Sequence, residues 1–180
     1  MHREDARDRF RRASWVNVAA NTAKILAEGA VGVAFGSVAL VADAAHSVAD
    51  LVASGVVLVW GSSSYDAADI RHPHGHARIE PLTALFVGAV IVILGGYLLS
   101  ESVRGLLAGS EVEFSYYLLA ALGFAMVDMY FAYWYTQRAN SGLDSTALTA
   151  LAKACLNDIY TTVAAVVGVV GVRLGVPVLD

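Results

Sequence analysis

The sequence is poor in cysteine, proline and charge. It contains one cysteine and three prolines, and only 16% of its 180 residues are charged. A single cysteine excludes a disulfide framework, and the sequence shows no basic patch with interleaved aromatic residues that would indicate nucleic-acid binding. An HExxH zinc-protease motif is also missing. We therefore expect a protein that is not an enzyme, uses no organic cofactor and has no nucleic-acid partner.

Long apolar runs dominate the chain instead. Hydrophobic residues make up 57% of it, and the mean hydropathy is +0.59. Runs of about 20 apolar residues are long enough to cross a hydrocarbon core about 30 Å thick. We predict five such spans, at residues 14–35, 37–61, 80–104, 113–136 and 146–172. Because backbone amides must be paired in lipid, the predicted fold class is an all-α membrane protein, a transmembrane helix bundle.

The arginines predict how this bundle is oriented. Five of them precede the first span, and others fall in the second and fourth loops, which lie on one side if five helices alternate. Positively charged short loops tend to stay in the cytoplasm. We therefore expect a cytoplasmic N-terminus, residues 1–13, in a protein of the bacterial inner membrane. No cleavable signal peptide is visible, because the charged N-terminus leads into a full-length span.

Two glycines in the first predicted span have the spacing of a helix-packing motif. Gly32 and Gly36 are four residues apart, and small residues at this spacing let neighbouring helices approach closely. Glycine also occurs in membrane helices without such a role, and the sequence leaves both interpretations open.

Polar side chains inside the spans carry the functional signal, since they are costly in lipid unless they face a bundle interior or a wet cavity. His46 and Asp50 lie four residues apart, and this spacing places both on one face of a helix. Asp158 lies in the fifth span. A histidine and two carboxylates are ligands that a divalent transition metal prefers. The other polar residues within the spans are Asn17, Asn21, Lys24, Glu28, Asp43, Asp128, Lys153, Cys155 and Asn157.

Some of these polar residues also have a purely structural interpretation. The stripe on the first helix is equally compatible with buried pairs that hold helices together, for instance Lys24 with Glu28. Asp43 is either a relay for protons or cations, or a hydrogen-bond acceptor near the start of its helix. We group Asn21, Lys24, Asp43 and Asp128 as supporting polar residues.

Two segments together resemble a known family, the cation diffusion facilitators, which export divalent metals in exchange for protons. Residues 69–80, DIRHPHGHARIE, are similar to the family signature HPxGHxRxE, and residues 42–50, ADAAHSVAD, are close to the family pattern in the second helix. The resemblance covers essentially the whole chain. It implies six helices per protomer, a homodimer in the lipid membrane and transport by alternating access.

The resemblance also implies a transport site made of ligand pairs on the second and fifth helices. By position these ligands are His46, Asp50 and Asp158. The family has a fourth ligand, His or Asp, four residues before the last of these, where this chain has Ala154. Water, a substitute ligand such as Cys155, or loss of function would each account for the alanine. The transported ion is then Zn²⁺, Mn²⁺ or Fe²⁺, since thiolate favours zinc and carboxylate with water suits manganese.

A second, cytoplasmic metal site is suggested by the loop that carries the family signature. Asp69, His72 and His76 match positions that bind zinc in some members, although histidines beside Pro73 and Gly75 also simply shape a turn. The chain ends after the fifth predicted helix, so we expect the sixth helix and the cytosolic domain of the family to be absent from it. This shortness, with Ala154, leaves a non-transporting or regulatory metal-binding or assembly subunit as the alternative function.

Overall fold

The computed structural model describes residues 3–61, 79–108 and 115–174, and all regular structure within them is helical. The predicted class, an all-α membrane bundle, is confirmed. The elements are α1 (Arg3–Phe35), α2 (Val38–Val56), a π-helical turn (Val57–Gly61) that continues α2, α3 (Ile79–Ala108), α4 (Tyr116–Asn140) and α5 (Thr146–Arg173).

Four of the described helices are long and apolar enough to cross a membrane. These segments are Glu4–Phe35, Ala39–Gly61, Tyr116–Asn140 and Thr146–Gly171. In α3 the apolar segment is shorter and covers Pro81–Tyr97. The prediction placed the start of the first span at residue 14, whereas α1 begins at Arg3. Glu4 and Asp5 in its first turn complement the positive end of the helix dipole, which favours this early start.

A tight turn joins α1 to α2, and the two glycines of the first span have different roles in it. Gly36 has a φ of +70°, and the amide of Ser37 donates to the carbonyl of Gly32 at 3.0 Å, the arrangement of a Schellman cap. The Ser37 hydroxyl then accepts from the amide of Leu40 and begins α2. A Cβ on Gly32 would lie 2.9 Å from the Cβ of Leu40. Gly32 thus permits close packing, while Gly36 ends α1.

Contacts near the helix termini define the two ends of the bundle. The Arg9 guanidinium donates to the carbonyls of Arg138 and Ser141, which joins the start of α1 to the end of α4. At the opposite end, Phe35 stacks on Tyr117 with ring centroids 5.8 Å apart. The N-terminus and the loop after α4 therefore lie at one end, as expected from the arginines.

Apolar clusters at the two ends enclose a polar middle layer. Near the N-terminal end of α1, Phe10, Val57 and Leu151 share one buried cluster with their neighbours. Near the other end, a second cluster contains Leu40 and Val169. The buried charged residues and one buried histidine lie between these clusters along α1, α2 and α5, and they are Lys24, Glu28, Asp43, His46, Asp50 and Asp158. The bundle therefore holds its buried charges away from both ends.

Candidate metal centre

Three side chains from two helices converge in the polar layer. His46 and Asp50 lie one turn apart on α2, and Asp158 projects from α5. One ligand atom from each residue lies within 4.8 Å of the others. His46 Nε2 is 3.3 Å from Asp50 Oδ2 and 3.5 Å from Asp158 Oδ1. All three residues are buried, so the structure brings together the three residues that the sequence singled out.

Most of the oxygen and nitrogen atoms of this group lack a hydrogen-bond partner. Within the described parts of the chain, His46 Nδ1 and both carboxylate oxygens of Asp50 and of Asp158 have no hydrogen-bond partner. Burying such groups unsatisfied is costly, more so for a charge than for a neutral group. A divalent cation bound by one imidazole and two carboxylates would satisfy them, and this donor set suits zinc, manganese or iron. The residues therefore fit a transition-metal site.

A lysine from α1 approaches the same group. Lys24 Nζ lies 2.9 Å from Asp43 Oδ1, 3.5 Å from Asp158 Oδ1 and 4.0 Å from Glu28 Oε2. The sequence indicated a pairing with Glu28, but the carboxylate of Asp43 is closer. This lysine is fully buried, and its charge is balanced by side chains from three helices.

Asp43 is held in place by two threonines that sequence reasoning missed. The hydroxyl of Thr162 donates to Asp43 Oδ2 at 3.2 Å, and that of Thr161 shares its proton between Asp43 Oδ1 at 3.1 Å and the Asp158 carbonyl at 2.9 Å. Both threonines follow Asp158 by about one turn of α5, and this spacing was the signal in the sequence. Asp43 is therefore a hydrogen-bond acceptor that links α1, α2 and α5.

Cys155 does not join the three ligands. Its thiol donates to Asn17 Oδ1 at 3.0 Å, and the Asn17 amide donates to Thr136 Oγ1 at 2.7 Å. This chain of contacts connects α5 to α1 and α4, and Cys155 packs beside Met129 and Ala20. Cys155 is absent from the group of close ligand atoms found among the described residues.

The other residues that the sequence singled out and the structure describes lie outside the group formed by His46, Asp50 and Asp158. The Asn21 amide donates to the Asn17 carbonyl at 3.0 Å, and Asp128 on α4 is half-buried. Lys153 and Asn157 are exposed on α5, whereas Ala154 is 7% exposed and lies one turn before Asp158. Asp69, His72 and His76 lie outside the described residues, so the second metal site stays a prediction.

Comparison with known proteins identifies the family. Residues 14–180 match the family model of the cation efflux transmembrane domain. The chain belongs to the cation efflux family. This confirms the resemblance to the cation diffusion facilitators, a family of membrane proteins that transport divalent metal cations, and it agrees with an integral membrane location.

Curated relatives from the cation efflux family align with nearly all of this chain. It is 31% identical over 180 residues to magnetosome protein MamB of Paramagnetospirillum magneticum, covering 100% of this chain and 61% of MamB. It is 30% identical over 182 residues to the uncharacterized transporter YdbO of Bacillus subtilis, covering 100% and 62%. Metal tolerance protein C1 of Arabidopsis thaliana is 32% identical over 192 residues, covering 98% and 40%. The chain spans about three fifths or less of these relatives' lengths.

Proposed function

We propose that this protein exports a divalent transition-metal cation, Zn²⁺, Mn²⁺ or Fe²⁺, from the cytoplasm in exchange for protons. His46, Asp50 and Asp158 form its binding site. The observation that carries this proposal is the convergence of one imidazole and two carboxylates, within 4.8 Å of one another and buried midway along two helices. Family membership and relatives with the names transporter and metal tolerance protein support it.

The ligand chemistry accounts for exchange with protons. A metal ion binds neutral imidazole and ionised carboxylates, so protons and the ion compete for the same atoms. The site lies between α2 and α5, and a change in their packing would open it to one end of the bundle or the other. Protons arriving from outside would then favour release of the ion there. One set of ligands, exposed to each side of the membrane in turn, would thus account for both alternating access and exchange with protons.

Transport into proteoliposomes tests this function. The protein is reconstituted with a pH gradient, and uptake of Zn²⁺ and Mn²⁺ is followed with a fluorescent indicator. We expect uptake by the wild type that slows when the gradient is collapsed, and none by the double variant Asp50→Ala with Asp158→Ala. Asn157→Ala, which changes an exposed residue next to Asp158, serves as the matched control. Equal uptake by the wild type and the double variant would refute the proposal.

A second candidate function is a non-transporting metal-binding or assembly subunit. The observation that favours it is Ala154, which provides no ligand one turn before Asp158. In that case the wild type retains metal in a binding assay, and Asp158→Ala releases it, but no flux appears in proteoliposomes. Binding and flux measured on the same preparation therefore separate the two functions.

A further inference from the structure

Lys24 contacts a carboxylate oxygen that the proposed metal would need. Asp158 Oδ1 lies 3.5 Å from Lys24 Nζ and also 3.5 Å from His46 Nε2. The ammonium therefore approaches the metal site from α1 and shares a ligand atom with it. This geometry places a fixed positive charge beside the position of a divalent cation.

The same lysine is also paired with a second carboxylate, that of Asp43, which holds it in place. Its contact with Asp43 is shorter, at 2.9 Å, and the hydroxyls of Thr161 and Thr162 hold the Asp43 carboxylate from α5. Asp43 thus keeps the ammonium within reach of Asp158. The longer contact to Asp158 is the weaker of the two, because attraction falls with distance, and it can be exchanged without leaving the lysine unpaired.

We propose that Lys24 is a positioning residue that competes with the metal ion for Asp158, an inference that rests on the proposed function. As an ion binds, Asp158 Oδ1 leaves the ammonium for the metal, and Lys24 remains paired with Asp43 and near Glu28. As the ion departs, Lys24 returns to Asp158. The tethered charge lowers the affinity of the site for divalent cations and thereby speeds their release.

Replacing Lys24 tests the competition, because the expected effect has the opposite sign to that of structural damage. Binding of Zn²⁺ and Mn²⁺ to the purified full chain is measured by isothermal titration calorimetry, with helical content checked by circular dichroism. We expect Lys24→Met to bind about tenfold or more tightly, since removing a nearby positive charge favours a cation. Lys24→Arg keeps the charge and should stay within about threefold of the wild type.

The other lysine of the chain provides a matched control. Lys153 is exposed on α5, and Lys153→Met removes the same charge without touching the site, so its affinity should equal that of the wild type. In proteoliposomes, Lys24→Met should lower both KM and kcat, because the ion enters readily and leaves slowly. Unchanged or weaker binding by a folded Lys24→Met variant would overturn the inference.

A milder variant keeps the test valid if Lys24→Met does not fold. Lys24→Gln provides an amide that can donate to Asp43 but removes the positive charge, so it should also bind the metal about tenfold more tightly. An unchanged affinity would contradict the competition. If instead Asp158→Asn binds metal as well as the wild type does, the proposed function fails, whatever Lys24 does.

Discussion

Cys155 has the chemistry of a zinc ligand but does not have the position of one. A thiolate is a good zinc ligand, but this thiol donates to Asn17 Oδ1 and packs between α1 and α4. We predict that Cys155→Ala leaves zinc affinity within about twofold of the wild type, because no ligand is lost, and costs about 1 kcal/mol of folding stability through the small cavity. Calorimetric titration and thermal unfolding measure the two effects. A tenfold or greater loss of zinc affinity would identify the thiol as a ligand.

Ala154 is the position where a ligand is easiest to add. It is buried and lies one turn before Asp158, so Ala154→Asp would repeat on α5 the spacing of His46 and Asp50 on α2. We predict that this variant binds Zn²⁺ and Mn²⁺ about tenfold or more tightly, because a fourth protein ligand completes a tetrahedral set.

The control for Ala154→Asp is Asn157→Asp, which adds the same charge on the exposed side of α5. Equal tightening by both variants would mean that the added charge acts at a distance and that residue 154 does not reach the ion. No tightening by Ala154→Asp would contradict the prediction that a ligand at this position joins the site.

The three candidate ligands could be predicted from the sequence, because their signals come from spacing and composition within single helices. His46 and Asp50 share a face by their spacing alone, and Asp158 stood out as an acid in an apolar run. The partner of Lys24 could not be found in this way. Its neighbour on α1, Glu28, is visible in the sequence, but Asp43 is nearer, and that distance depends on how α1 and α2 are rotated against each other.

Helix α1 packs against α2 through Gly32, and this contact yields a prediction about how the packing of the two helices contributes to stability. A Cβ at Gly32 would lie 2.9 Å from the Cβ of Leu40 and 3.0 Å from the amide nitrogen of Val41. We therefore expect Gly32→Ala to push the helices apart and to cost about 1–3 kcal/mol of stability, as overpacking usually does. Thermal unfolding in detergent, monitored by circular dichroism, measures this loss.

Gly29 provides the control one turn earlier on α1. A Cβ there would lie 3.6 Å from the Cβ of Ala44, an ordinary contact. Gly29→Ala should therefore be neutral or stabilise the protein by up to about 1 kcal/mol, since alanine favours the helix. Equal losses from both variants would indicate that α1 itself, and not its packing against α2, is sensitive to substitution.

The ends of the helices were predictable where a local signal marks them. Ser37 is an N-cap residue type, and it begins α2 at the predicted boundary. The start of α1 was missed, because the arginine-rich segment has the composition of a soluble tail, yet it continues the helix and places Phe10 in a buried cluster. The tertiary contact of Phe10, together with Glu4 and Asp5 in the first turn, accounts for that extension.

At the scale of the whole molecule, the described part of the bundle buries more acidic than basic side chains. Glu28, Asp43, Asp50 and Asp158 are buried together with one lysine, Lys24. Two apolar clusters separate this layer from both ends. A divalent cation within it would offset two negative charges, so metal binding and the stability of the bundle should be linked.

This linkage predicts a metal-dependent and pH-dependent stability. A ligand at one hundred times its Kd stabilises the folded state by about 2.7 kcal/mol, and zinc should raise the unfolding temperature of the wild type accordingly near neutral pH. Protons compete with the metal for imidazole and carboxylates. The gain should therefore shrink as the pH falls, because the more acidic solution weakens metal binding.

Thermal unfolding with and without zinc, measured at several pH values between about 5.5 and 7.5 where imidazoles usually titrate, checks this prediction. His46→Ala and Asp158→Asn are the matched variants, and zinc should stabilise neither. A stabilisation that persists in both variants would place the bound metal elsewhere, for instance in the segment containing Asp69, His72 and His76. A gain independent of pH in the wild type would exclude competition between protons and metal at His46, Asp50 and Asp158, and with it the simplest basis for coupled exchange.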